Sequence, residues 1–138
     1  MKRLAAATAM VAALTGTANA AKGWDCVEEK SAGIHYYEDD KTWSTAPFLA
    51  DAKFFVEPVA ENNETIKWLV GRIGDVLVAS CGPSAPSGLI VCQAADRHFM
   101  LDTKSLKFQF YYFGSYLFHS NNLQPSDAFV SIGRCSPR

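Results

Sequence analysis

The chain has 138 residues, 49% of them hydrophobic, with 13 Lys and Arg against 14 Asp and Glu. That length and composition suit one domain with a workable single core. The charges are interspersed and form no basic stripe, which leaves a nucleic-acid partner or an anionic membrane surface little electrostatic support.

The first twenty residues read as a secretory signal. Lys2 and Arg3 supply the positive start, Leu4 to Leu14 the apolar run, and Ala18-Asn19-Ala20 a small-x-small cleavage site. The run is shorter than the ~20 residues of a bilayer span. Cleavage after Ala20 leaves residues 21–138 as a single domain. Loss of Lys2 and Arg3 leaves 11 basic against 14 acidic residues, a formal charge of about −3. The first cysteine is Cys26, not the residue after the cleavage site, so a lipid anchor is not expected. No second long apolar run follows, so no membrane span is expected in the mature chain.

Cys26, Cys81, Cys92 and Cys135 all fall in the mature part. An even count in a small exported domain implies two disulfides. A zinc site drawing on His98 or His119 would show close C-x₂₋₄-C ligand pairs, and none is present.

Trp24 stands beside Cys26, and Ile34-His35-Tyr36-Tyr37 is a short aromatic run with strand propensity. Glu38-Asp39-Asp40-Lys41 is a polar turn without the spacing of an EF-hand loop. Trp43, Pro47 and Phe48 read as an irregular link on the core edge. Lys53 to Val59 is a strand, stopped or pushed to an edge by Pro58. Asn63-Glu64-Thr65 matches a glycosylation sequon by chance.

Residues 66–80 fit a helical face on Ile66, Leu69, Val70, Ile73, Val76 and Leu77. They also fit two strands, with Gly71 and Gly74 framing the turn between them. Two glycines cost a helix about 1 kcal/mol each against alanine, and Trp68 and the β-branched residues favour a sheet. Strands are therefore expected. Gly82 to Gly88 is a loop by composition. Its Ser84 departs from the G-x-S-x-G nucleophile elbow at Pro86 and lacks the surrounding α/β pattern, so it reads as a turn serine. Leu89 to Cys92 is an apolar strand, and Asp96-Arg97-His98 a surface turn.

His98 to Phe118 is the centre of the expected core. Phe99 and Leu101 on one strand, and Leu106, Phe108, Phe110 and Tyr112 on the next, fall on one face by the period-2 alternation of strands. Asp102-Thr103-Lys104-Ser105 forms the turn, with the Asp102 carboxylate accepting from the backbone two residues on. Gly114 to Phe118 suggests a bend and a further short strand, His119 to Asp127 a polar loop, and Ala128 to Cys135 the last strand.

The pattern predicts an all-β fold of roughly seven to nine short strands, an antiparallel meander closing into a small barrel or sandwich. The opening and closing strands of such a meander are neighbours. That predicts Cys26–Cys135, and leaves Cys81–Cys92 to staple a hairpin across the Pro-rich loop.

The assembled residues resemble a group of small exported proteobacterial proteins with four cysteines. Carrying the likeness are Cys26, Ala32 to Tyr36, Trp43, Phe48, Lys53 to Val56, Trp68, Cys81, Cys92, Phe99, Leu106 to Phe108 and Gly114 to Tyr116. Its most specific part is the ending Ile132-Gly133-Arg134-Cys135-Ser136-Pro137. Ile34 and Tyr37 depart from the pattern, where Phe and Asp are expected. The group lends no catalytic or binding residues. A looser likeness, through Ser31-Ala32-Gly33 and Tyr36, is to exported lysozyme inhibitors, which are small β-barrels.

These readings favour an exported, non-enzymatic module that binds a protein or a small molecule, with no cofactor and no metal. Tyr111, Phe113, Tyr116 and Phe118 are the candidate contact residues, since aromatic side chains dominate interface hot spots. They would instead be plain core if the second face of the sheet were covered. Two alternatives make different structural demands. A small hydrolase would need Asp96, His98 or His119 to converge in a pocket. A lipocalin-like carrier would need an unfilled barrel interior.

Overall fold

The computed structural model describes residues 22–60, 63–74, 77–116 and 126–138. The signal segment 1–20, Phe118 and His119 lie outside the described residues. Among the described residues the nine regular elements are strands: β1 Trp24–Tyr37, β2 Thr42–Phe48, β3 Lys53–Pro58, β4 Trp68–Arg72, β5 Leu77–Cys81, β6 Leu89–Ala94, β7 Arg97–Asp102, β8 Lys107–Tyr112 and β9 Ala128–Pro137. Every pairing is antiparallel. From β3 to β9 each strand pairs with the next, and β1 pairs with both β3 and β9. The meander therefore closes into an eight-stranded barrel, not a sandwich, with β2 as an extra strand on β1. No helix among the described residues is long and apolar enough to cross a membrane.

β1 is long enough to serve two partners along one edge. Trp24 to Val27 pair with β3, and Ser31 to Tyr37 pair with β2. The register against β9 shifts between Glu28 and Lys30, a bulge at the place where the partner changes. The bulge resets the alternation, so Trp24, Cys26 and Glu28 face inward before it, and Ser31 and Gly33 after it.

The interior is packed with rings. Phe54, Phe99, Phe108, Ile90, Leu101, Val56 and Val70 are fully buried. Phe54 meets Phe99, Phe108 and Phe110 at centroid distances of 5.6, 5.5 and 5.1 Å, and Phe99 stacks on Phe108 at 5.2 Å. The expected inward face of β7 and β8 is this core. In the turn between them, Asp102 Oδ1 accepts from the Lys104 N–H at 3.0 Å, as its position predicts. The disulfides are Cys26–Cys135 and Cys81–Cys92. Each joins residues directly opposite in the ladder, so the first locks the seam of the barrel and the second a hairpin.

Four local expectations change. The supposed irregular link at Trp43 to Phe48 is β2, because an edge strand tolerates Pro47 where a central one would lose a ladder bond. Gly71 lies within β4, not in a turn: the Phe55 ring fills the space a Cβ would need. Leu106 is a turn residue with φ 56°, and β8 begins after it. Arg97 and His98 already belong to β7, leaving only Asp96 of the three in the turn.

Candidate functional site

The outer wall of β8, β9, β1 and β2 carries several exposed apolar side chains. Register fixes its rows. Tyr111 stands opposite Val130 on β9, Val130 opposite Ala32 on β1, and Ala32 opposite Pro47 on β2. The next row holds Gln109, Ile132 and Lys30. On the other side Ala128 pairs with Ile34, and Phe113 continues the outward set of β8, its N–H held by the Asp96 carbonyl at 2.8 Å. Phe113 is 43% exposed, Val130 38% and Ile132 42%.

Aromatic side chains extend this face along the β1–β2 hairpin. Tyr36 and Trp43 are register partners with ring centroids 5.2 Å apart. Tyr116, 53% exposed, sets its edge against Trp43 at 5.3 Å. Phe113 packs edge-on to His98 at 5.1 Å. Tyr111 donates its hydroxyl to Gln109 Oε1, two residues back on the same strand face, at 3.0 Å. Phe113 and Tyr116 are thus surface residues, and Tyr111 is half-buried outside the core. Tyr36 and Trp43 belong with them and were missed. Only the register of a hairpin far away in sequence brings them to Tyr116.

The face runs into a groove of about 540 Å³ lined by Leu89, Met100, Gln109 and Ile132. Charges rim it. Arg134 Nε pairs with Glu29 Oε1 at 3.0 Å, and Lys107 stands opposite Asp102.

Of the residues considered for acid–base work, His119 lies outside the described residues, and Asp96 and His98 do not pair with each other. Arg97 takes the Asp96 carboxylate with both Nε and a terminal nitrogen, at 2.7 and 2.8 Å, and no hydrogen bond joins Asp96 to His98. The guanidinium hydrogen bonds hold the Asp96 carboxyl below the usual carboxylate range. A different histidine has a carboxylate partner: His35 Nδ1 and Asp127 Oδ1 are 2.7 Å apart across 92 residues of sequence. This pair ties the start of β9 to the β1–β2 hairpin. All four cysteine sulfurs are in disulfides, which removes them as metal ligands or nucleophiles. No group of three or more His, Cys, Asp or Glu among the described residues is arranged to hold a metal ion.

No protein family matches the chain, and neither does any curated protein or solved structure. Function must therefore be argued from the side chains themselves.

Proposed function

We propose that the chain is a non-enzymatic binding module of the cell envelope, exported to the periplasm or beyond, and that it docks a protein partner on the outer wall of β8, β9, β1 and β2. The observation that carries this reading is the set of exposed apolar side chains sharing this wall: Ile132 and Val130 on β9, Tyr111 opposite Val130, Phe113 just beyond β8, and Tyr116 against Trp43 of β2. Isolated exposed apolar residues are ordinary; a contiguous face with an adjoining groove and a charged rim has the anatomy of an interface. The groove beside Ile132 suits a single anchoring side chain of the partner. Two disulfides agree with an oxidising compartment, as the signal-like first twenty residues and the likeness to small exported proteins lead one to expect. The packed ring core weighs against a carrier with a hollow interior.

The test is affinity capture from envelope extract followed by a binding measurement on the captured partner. Tyr111→Ala with Phe113→Ala should weaken binding by about 2–4 kcal/mol while circular dichroism stays unchanged. His98→Ala should have a small effect, confined to its contact with Phe113. Loss of the cellular phenotype in a folded His98→Ala protein, with capture intact, would replace the binding reading with an enzymatic one.

A further inference from the structure

The open end of the barrel carries a site separate from the outer wall. Alternation before the bulge turns Glu28 inward, and Arg72 shares the inward face with its register partner Phe54. Apolar side chains fill most inward positions of this barrel. Here a carboxyl group and a guanidinium stand at the rim of an aromatic interior. Glu28 is only 6% exposed. One of its oxygens, Oε2, accepts from the Ala52 N–H at 3.0 Å, and its other oxygen has no protein partner. The Arg72 side chain makes no hydrogen bond or ion pair with any described residue, so the two groups do not neutralise each other. No buried side-chain oxygen or nitrogen among the described residues lacks a partner, so the second Glu28 oxygen opens to solvent at the mouth, where a donor from a ligand can reach it.

Glu28 and Arg72 line a space of about 270 Å³ whose apolar walls are Phe48, Phe54, Phe110 and Phe129. That is just below the ~300–1,000 Å³ usual for sites of drug-sized ligands, which suits a smaller molecule, and barrel mouths are a common place for such sites. We propose that this mouth binds a small zwitterion with an apolar body, of the chemical class of a free aromatic amino acid. Its ammonium group completes the shell of Glu28. Its carboxylate takes the planar fork of Arg72, and its ring packs among the phenylalanines. The Ser31 hydroxyl, also on the lining, is a further polar contact within the same space.

The experiment titrates three probes into the full chain: phenylalanine, phenethylamine, which lacks the carboxylate, and 3-phenylpropionate, which lacks the amine. Affinity is read by calorimetry and location by the ring signals of Phe48 and Phe129 in NMR spectra. Phenylalanine should bind tightest. Glu28→Gln, which keeps an acceptor for the Ala52 N–H, should weaken phenylalanine and phenethylamine by about tenfold or more. Arg72→Met should weaken phenylalanine and 3-phenylpropionate by a similar factor and leave phenethylamine unchanged. Arg72 is half-buried at the rim, so that variant remains folded even if Glu28→Gln does not. The proposal is overturned if no probe moves the ring signals at millimolar concentration. It is equally overturned if a one-charge probe binds as tightly as phenylalanine, or if Arg72→Met leaves phenylalanine binding unchanged.

Discussion

At one end of the barrel Trp24 and Trp68 lie with ring centroids 4.9 Å apart, while at the other Glu28 and Arg72 face a space of about 270 Å³ without pairing. The disulfides stand with the tryptophans. Cys26 is two residues along β1 from Trp24, and Cys81 is directly opposite Trp68. The closed end joins covalent links to large buried rings, so its contribution is stability. The open end places two charged groups where apolar filling would have been more stable, and its lip, Leu49, is 80% exposed. Stability given up locally in this way is a pointer to binding.

The largest effect should come from the seam. Cys26→Ser with Cys135→Ser opens a loop of 109 residues in the unfolded chain. The chain-entropy account assigns such a loop up to about 4.7 kcal/mol, against about 3 kcal/mol or less for the short Cys81–Cys92 loop. Urea midpoints of the two double variants should fall in that order. A larger loss for the Cys81 and Cys92 variant would show that the hairpin, not the seam, limits stability.

The two ends can then be compared residue for residue. Trp24→Ala removes a large side chain from a packed site and should cost about 3–5 kcal/mol. Leu49→Ala at the open lip should change stability by no more than about 0.5 kcal/mol. Equal losses in thermal or urea unfolding would mean that the open end is packed as firmly as the closed one, and would break the comparison.

How much of this was legible depended on the range of the interaction. The hairpin of β7 and β8 could be read residue by residue, because Phe99, Leu101, Phe108 and Phe110 alternate cleanly and Asp102 has its own turn chemistry. The antiparallel meander and the cysteine pairing could be read from the sequence, but the choice between barrel and sandwich needed the pairing of β1 with both β3 and β9. What escaped was set by register between distant strands. Pro47 made β2 look irregular, since nothing local marks a strand as an edge. The bulge after Glu28 changes which β1 residues face inward, and a pattern of single residues cannot locate it. Trp43 and Tyr116 meet only because β2 lies on β1 and β1 lies on β9. The same holds for Glu28 with Arg72. A charge in a strand looks outward-facing until the ladder says otherwise.

The smallest expected effect lies in the turn that closes the central hairpin, and it separates local turn chemistry from the stabilising end. Asp102 accepts from the Lys104 N–H at 3.0 Å and from the Ser105 hydroxyl at 2.6 Å. The Ser105 hydrogen bond, followed by that from the Lys104 N–H, lowers its pKa from the usual 3.8. A carboxyl whose pKa is lower in the folded than in the unfolded chain adds stability above the unfolded value. That contribution fades as pH falls through the lower, folded value. Asp102→Asn keeps the shape and an acceptor oxygen but removes the charge. At neutral pH the variant should melt slightly below the natural protein. The gap should close as the pH is taken below about 4, where the natural carboxyl gains its proton and loses the same advantage. Melting curves at a series of pH values check this. A gap that stays constant down to strongly acid pH would mean that the carboxylate charge plays no part in the turn, and that its geometry alone sets the register of β7 on β8.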